Sequence, residues 1–259
     1  MRRIFTSLFV FLLSTPLFSL SIPMLYPKNC DVPSSDYENQ LVDHAKCSLE
    51  KSLQLQSKLT DVHFLETDAS SQWRAASLPH YHSLRDITKI TCYHLLNNLC
   101  NFQGASHLHI GLLSGDSFIA ALYGNQTNLE QQIGIDWFKE CPENIFHENC
   151  RLFLNSNMYQ IINQGCFDVD KSIFTTPIDI YFYDADHSLI GHEKAFTYYN
   201  DIFADVFIAV IDDWNCPWIR LASFKAFTKL NYRILYQNTL PSTKIDNGQY
   251  IAVIRKQLL

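Results

Sequence analysis

The chain has 259 residues, of which 47% are hydrophobic and 18% are charged, and its formal net charge at pH 7 is −6. This length and apolar content are sufficient for one sizeable core. The acidic balance, without a basic run in the sequence, argues against a nucleic-acid partner.

The N-terminus has the three-part pattern of a secretory signal. Two arginines precede an apolar segment at residues 4–13, and small residues follow as far as Ser21. We therefore expect a signal peptide at residues 1–21 and an exported protein, periplasmic or secreted. A membrane anchor formed by an uncleaved signal is the alternative. Under either interpretation, only this segment would contact a membrane.

Eight cysteines follow this segment, at positions 30, 47, 92, 100, 141, 150, 166 and 216. An even number in an exported chain permits disulfides. Cys92 with Cys100, and Cys141 with Cys150, are possible local pairs, and buried free thiols are the alternative. None of the cysteines forms a CxxC motif, so a zinc site is not expected.

Residues 22–103 are expected to form a helical N-terminal extension. The stretch DYENQLVDHAKCSLEKSLQLQSKL places leucines and charges at helical spacing, and LRDITKITCYHLLNNLC predicts a second helix. Neither stretch carries a chemical motif. We expect these helices to cap the core or to cover a site.

Residues 104–259 alternate between apolar strands and helical segments. The expected strands are SHLHIGLL, QQIGIDWF, RLFLNSN, IDIYFYDADH, VFIAVIDDWN, YRILYQNTL and GQYIAVIRK. Alternation of this kind predicts an α/β fold with a Rossmann-like, mostly parallel seven-stranded sheet. The last two strands are joined without a helix through a DNG turn at 246–248, which indicates a C-terminal antiparallel hairpin.

Polar residues follow five of the expected strands. Ligands of open α/β sheets bind outside the carboxyl ends of the strands, and a parallel sheet gathers those ends at one edge. The polar strand ends are Gly111 to Ser117, Asp136, Asn155 to Asn157, Asp184 to His187, and Asp212 with Asp213.

The segment HIGLLSGDS at 109–117, together with YFYDADHS and IDDWN, resembles the class I S-adenosylmethionine-dependent methyltransferases over roughly residues 104–256. The resemblance implies that Asp136 holds the ribose, that Ser156 and Asn157 read the adenine edge, and that Asp186 lies near the cofactor. His109 stands where the family has an acidic residue. The implied cofactor-binding set is His109, Gly111, Gly115, Ser117, Asp136, Ser156, Asn157 and Asp186.

The paired aspartates are similar to those of the cation-dependent O-methyltransferases of the catechol and caffeoyl-coenzyme A type. This similarity implies that Asp184, Asp212 and Asp213 bind a divalent metal. Oxygen ligands suit Mg²⁺, with Mn²⁺ or Ca²⁺ next. Asp184 and His187 are the expected catalytic residues. The metal held by Asp184 would orient a substrate hydroxyl, and His187 could be the general base in metal-free relatives.

The expected function is therefore O-methylation of a small hydroxylated acceptor, with possible assistance from a divalent metal. An exported, non-catalytic binding module on the same fold is the main alternative, because S-adenosylmethionine is made in the cytosol. A glycosyltransferase is a further alternative, because Asp184-Ala185-Asp186 also matches a DxD nucleotide-sugar motif.

Overall fold

A computed structural model describes residues 36–59, 87–240 and 248–257. The expected signal peptide, Cys30 and most of the DNG turn lie outside these residues. Seven strands are present, and their bounds are β1 Ser106–Ile110, β2 Gln131–Asp136, β3 Gln160–Asn163, β4 Ile178–Tyr183, β5 Phe203–Ile211, β6 Tyr232–Leu240 and β7 Gln249–Lys256.

The seven strands form a single sheet in the order β3-β2-β1-β4-β5-β7-β6. Strands β1 to β5 pair in parallel. Strand β7 inserts between β5 and β6 and is antiparallel to both. The expected mostly parallel sheet with a C-terminal antiparallel hairpin is confirmed.

Six α-helices accompany the sheet in the described residues. Their bounds are α1 Asp36–Leu53, α2 Ile87–Leu99, α3 Asp116–Leu122, α4 Glu143–Phe153, α5 Leu189–Thr197 and α6 Pro217–Lys229. Pro217 is tolerated in the first turn of α6 because the N–H it lacks has no partner there in a helix. Within the described ranges, none of the helices combines the length and the apolar character that crossing a membrane requires.

The sheet separates two hydrophobic layers. Phe182 and Ile208 face the layer that includes Leu41 of α1 and Leu95 of α2. The alternate residues of the same strands, such as Tyr181 and Phe207, face the layer that includes residues of α5 and α6. Because strand side chains alternate between faces, β4 and most of β5 are buried on both sides, as expected for central parallel strands.

The N-terminal helix packs directly against the sheet. Glu38 of α1 forms an ion pair with Arg255 of β7, and both side chains are largely buried. Tyr37 donates its hydroxyl hydrogen to Asp179 Oδ1 in β4 at 2.7 Å. Helices α1 and α2 belong to the same compact unit as the sheet. The division at residue 104 stays a prediction.

The prediction of a strand at RLFLNSN, residues 151–157, is wrong. Helix α4 continues to Phe153 because Phe146, Asn149 and Cys150 lie buried at helical spacing on one face. The third strand of the sheet is the short segment Gln160–Asn163 instead.

The seven cysteines in the described part of the chain are free thiols. Cys92 lies in α2 and Cys100 directly follows that helix. Eight residues of helix rise about 12 Å, whereas a disulfide needs Cα atoms within about 7 Å. The local pairing of these two cysteines is therefore excluded by the helix itself.

Candidate active site

The carboxyl ends of the parallel strands lie at one level. Ile110, the last residue of β1, is the register partner of Ile135 in β2 and of Tyr183 in β4. Tyr183 pairs in turn with Ile211 of β5. The residues that follow these positions, and so line one edge of the sheet, are Gly111, Asp136, Asp184 and Asp212.

The first of these strand ends turns very close to β4. Gly111 has a φ of +89°, and a Cβ built on it would lie 1.7 Å from the carbonyl oxygen of Asp184. Gly115 has a φ of +98°, and its Cβ would lie 3.1 Å from the ring of Phe146. Packing therefore requires a glycine at position 111, whereas at position 115 the positive φ favours one.

Asp136 anchors the loop that follows β1. Its Oδ2 accepts hydrogen bonds from the backbone N–H groups of Leu112, at 2.7 Å, and Leu113, at 3.0 Å. Its Oδ1 accepts one more from Phe138 N at 2.7 Å. A carboxylate can accept about four hydrogen bonds, so Asp136 has room for one further donor, on Oδ1.

His109 lies inside the core rather than on the edge. Its side chain has no exposed surface, and its Nε2 lies 3.0 Å from the hydroxyl of Ser117. The ring packs on Phe182, with centroids 4.3 Å apart. Burial and the neighbouring His107 hold the pKa of His109 well below its usual range, so the imidazole is neutral. The structure does not expose His109 to a ligand at this edge.

The expected adenine-reading residues lie elsewhere. Ser156 and Asn157 form a short 3₁₀ turn before β3, at the amino end of that strand. This position is a correction to the predicted one, and it follows from the misplaced strand. The residue that ends β3 beside Asp136 is Asn163, whose Nδ2 donates to Glu143 Oε2 at 2.7 Å. The short run QIIN gave little sequence signal for a strand.

His187 lies between two carboxylates. Its Nε2 is 3.1 Å from Asp184 Oδ1, and its Nδ1 is 3.3 Å from Asp213 Oδ2. Asp184 directly follows β4, whereas Asp213 lies two residues after the end of β5, in a left-handed conformation with φ of 54°. The imidazole is half-exposed, so the cluster opens to solvent.

The charge of this cluster favours a protonated imidazole. The hydrogen bond to Asp184 raises the pKa of His187 to about 9, against the opposing effect of burial. The negative charges of Asp184, Asp213 and Asp212 add to the increase. At neutral pH, His187 is therefore mostly an imidazolium ion that balances two carboxylates. A general base must start as the neutral imidazole, which is the minor form of His187 at this pH.

The other two aspartates occupy different positions. The Oδ1 of Asp186 accepts from Ser188 N at 2.9 Å, and a Cβ on Gly191 would lie 2.4 Å from its carboxyl carbon. Asp186 therefore shapes the turn that enters α5. Asp212 N donates to Tyr183 O at 3.1 Å. Among the described residues, the group that could hold a metal ion comprises Asp184, His187 and Asp213, with ligand atoms within 4.8 Å of one another.

Trp218 supports the loop that carries His187. Its indole N–H donates to the backbone oxygen of His187 at 3.0 Å, from the first turn of α6. The ring is half-exposed beside the cluster. This contact could not be predicted from the sequence, because a hydrogen bond across 31 residues leaves no local pattern.

Solved structures connect this arrangement to a known fold, although no family model and no curated protein matches the chain. The O-methyltransferase from Bacillus cereus in complex with SAH is 15% identical with a TM-score of 0.55, covering 83% of this chain and all of that one. A cofactor-bound protein from MTB is 14% identical with a TM-score of 0.56, covering 74% and 90%. The N-methyltransferase NodS from Bradyrhizobium japonicum in complex with SAH is 9% identical with a TM-score of 0.52, covering 73% and 99%.

These similarities establish the fold. The order of the seven strands, the C-terminal antiparallel pair and the helices on both faces agree with the match to those structures. The chain therefore has the fold of the class I S-adenosylmethionine-dependent methyltransferases, as its resemblance to that class implied.

Proposed function

We propose that the protein is an S-adenosylmethionine-dependent methyltransferase that methylates a hydroxyl group of a small acceptor. The observation that carries the proposal is the position of His187 between Asp184 and Asp213, at the carboxyl edge of a methyltransferase-type sheet. This edge is where open α/β sheets bind their ligands. The half-exposed imidazole and the two carboxylates can position and deprotonate a hydroxyl.

The cofactor requires a hydroxyl-binding group at the end of β2. Asp136 suits the ribose because one acceptor position remains on Oδ1. The backbone hydrogen bonds to its other oxygen hold the carboxylate in place. S-adenosylmethionine would supply an electrophilic sulfonium methyl group, which an acceptor oxygen attacks as the carbon–sulfur bond breaks.

His187 is the proposed proton acceptor. A ring nitrogen of the neutral imidazole takes the hydroxyl proton, and the carboxylates of Asp184 and Asp213 stabilise the imidazolium that forms. Because its pKa is raised to about 9, His187 is neutral in only about 1% of molecules at pH 7. The rate is therefore expected to increase with pH up to about that value.

Assistance by a divalent metal ion is a second and more specific part of the proposal. Asp184, Asp213 and His187 offer two oxygens and one nitrogen within 4.8 Å of one another. This donor set suits Mn²⁺ as well as Mg²⁺. With a cation bound, His187 would serve as a ligand and not as the proton acceptor. The cation would then balance the two carboxylates and lower the pKa of a bound hydroxyl.

Calorimetry with S-adenosylhomocysteine tests the cofactor site. The unmodified chain is expected to bind, and Asp136→Ala is expected to weaken binding at least tenfold. Asp136→Asn, which keeps one acceptor oxygen, should lie between them. A folded chain that does not bind at millimolar ligand would contradict the enzyme proposal and favour the non-catalytic module.

Paramagnetic broadening by Mn²⁺ tests the metal site without an acceptor. The NMR signals of the His187 ring are expected to broaden in the unmodified chain. Asp213→Asn should reduce this effect by removing a charge without changing the side-chain shape. Asp205→Asn is the matched control, because Asp205 is an exposed aspartate near the amino end of β5, the strand that precedes Asp213. Equal broadening in all three proteins would show that the ion binds elsewhere.

A further inference from the structure

Four large apolar side chains are exposed at the beginning of α5 and α6. Leu189 and Ile190 belong to the first turn of α5, and Trp218 and Leu221 belong to the first two turns of α6. Ile190 is 70% exposed and Leu221 is 61% exposed. We call these four residues the apolar patch. They expose roughly 400 Å² together, an area that usually marks an interaction site.

Contacts between the two helices make the members of the apolar patch neighbours. The indole N–H of Trp218 donates to the backbone oxygen of His187. Further along, the ring of Phe227 packs on that of Phe196, with centroids 4.8 Å apart. Both contacts join residues 31 positions apart, so α5 and α6 lie side by side in constant register. The two most exposed members of the patch have the same separation and therefore lie level with each other.

The surface of these helices is positively charged, although the chain has a net charge of −6. The two helices contain four cationic side chains, Lys194, Arg220, Lys225 and Lys229, and one acidic side chain, Glu193. Glu193 forms ion pairs with Lys225 at 2.7 Å and with Lys229 at 3.3 Å. Its side chain is mostly buried, whereas both lysines are exposed. The charge that faces outward is therefore positive.

A second copy of the chain fits this surface poorly. The apolar patch has roughly half of the 800 Å² or so that each partner buries in a stable protein complex. A two-fold dimer would also bring the same cations of both copies together. An anionic bilayer suits both features, because apolar side chains enter its interfacial layer and lysine and arginine bind its headgroups. Tryptophan is also enriched at membrane interfaces.

We propose that the apolar patch and the four cations of α5 and α6 bind the surface of an anionic lipid bilayer. The aliphatic side chains enter the boundary between headgroups and acyl chains, and the cations contact lipid phosphates. The carboxylates of the candidate active site lie beyond the first turns, at the sheet edge, where His187 balances two of them. The proposal departs from the sequence expectation, which confined membrane contact to residues 1–21. It does not depend on methyl transfer.

Sedimentation with sucrose-loaded vesicles tests this proposal. The chain from residue 22 onward is used, because it lacks the expected signal peptide and keeps the whole compact unit Ser34–Leu259. Its partition coefficient for phosphatidylcholine–phosphatidylglycerol vesicles is expected to exceed that for phosphatidylcholine alone about tenfold or more. Binding to the anionic vesicles should weaken as salt is added, because salt screens the attraction.

The chain offers a matched pair of variants, because the dipeptide Arg-Leu is exposed in two helices. Arg220→Gln with Leu221→Ser in α6 should lower the partition coefficient about tenfold or more, through the loss of one cation and one inserted side chain. Arg151→Gln with Leu152→Ser in α4 is the control. Leu152 is 65% exposed, but α4 packs on the opposite side of the sheet. The control should bind as the unmodified chain does.

Three results would overturn the proposal. The first is absence of binding to the anionic vesicles, or equal binding to neutral and anionic vesicles. The second is an equal partition coefficient for the α6 variant and the α4 control. The third is a dimer of the unmodified chain in sedimentation velocity that the α6 variant does not form, because the surface would then belong to a second copy.

Discussion

Acid is expected to destabilise this protein through a buried histidine in β1. His107 has no exposed surface, and neither ring nitrogen has a hydrogen-bond partner in the described residues. Burial lowers the pKa of His107 from 6.5 to about 3. The replacement His107→Leu removes this titrating group and keeps the site apolar. Its effect on the pH dependence of stability can therefore be calculated.

The sign follows from the lowered pKa. The unfolded chain takes up a proton at His107 below about pH 6.5, whereas the folded chain does so only near pH 3. The contribution of neutral His107 to the free energy of unfolding is therefore fully present above pH 6.5, and it decreases as the pH falls towards 3. At pH 5, which is about 1.5 units below the pKa of histidine in the unfolded chain, the loss amounts to about 2 kcal/mol of unfolding free energy. His109 acts in the same direction.

Urea denaturation at pH 8 and pH 5 measures this effect. Between these two values, His107→Leu is expected to lose about 2 kcal/mol less than the unmodified chain. His147→Leu is the control, because the side chain of His147 is 36% exposed. An equal pH-dependent loss in His107→Leu and the unmodified chain would refute the reasoning. So would an NMR titration of His107 near pH 6.5 in the folded protein.

Other outcomes follow from single contacts. Gly111→Ala should destabilise by about 3 kcal/mol in urea, because the new Cβ meets a backbone oxygen. Gly104→Ala, with a similar positive φ and open space, should cost only about 1 kcal/mol. Arg255→Met should cost about 3 kcal/mol by leaving Glu38 buried without its cation, and the double replacement with Glu38→Met should recover most of that loss. His187→Gln should reduce methyl transfer at pH 9 about a hundredfold or more in a rate assay. If residues 1–21 act as a signal peptide, mass spectrometry of the protein recovered from cells should find a chain that starts after Ser21, and a membrane-bound chain with an intact N-terminus would indicate the uncleaved anchor instead.

The sheet could be predicted because its central strands are continuous apolar runs. IYFY and VFIAVI are buried on both faces, and each is followed directly by an aspartate, which marks the end of the buried run. The segment RLFLNSN was wrongly predicted as a strand because only its own residues were considered. Leu152 and Phe153 favour a strand by themselves, but Phe146 and Cys150, seven and three residues before Phe153, hold the segment in a helix.

The cluster around His187 was only partly predictable. Its neighbour Asp184 lies three residues away, and the sequence placed both at a catalytic edge. The contact with Asp213 depends on the parallel register of β4 and β5 and on a left-handed backbone at residue 213. Neither the register nor the backbone conformation at residue 213 can be recognised from the local sequence. The raised pKa of His187 follows from these tertiary contacts, so an unperturbed value was the only one available from the sequence.

The attachment of α1 also determines how the protein can be handled. The hydrogen bond from Tyr37 to Asp179 fixes the start of this helix near the amino end of β4. The Asp184–His187–Asp213 cluster is at the opposite end of that strand. A fusion tag or a surface linker placed immediately before Asp36 would therefore emerge on the far side of the molecule, and immobilisation through it would leave the proposed acceptor site open to the solution.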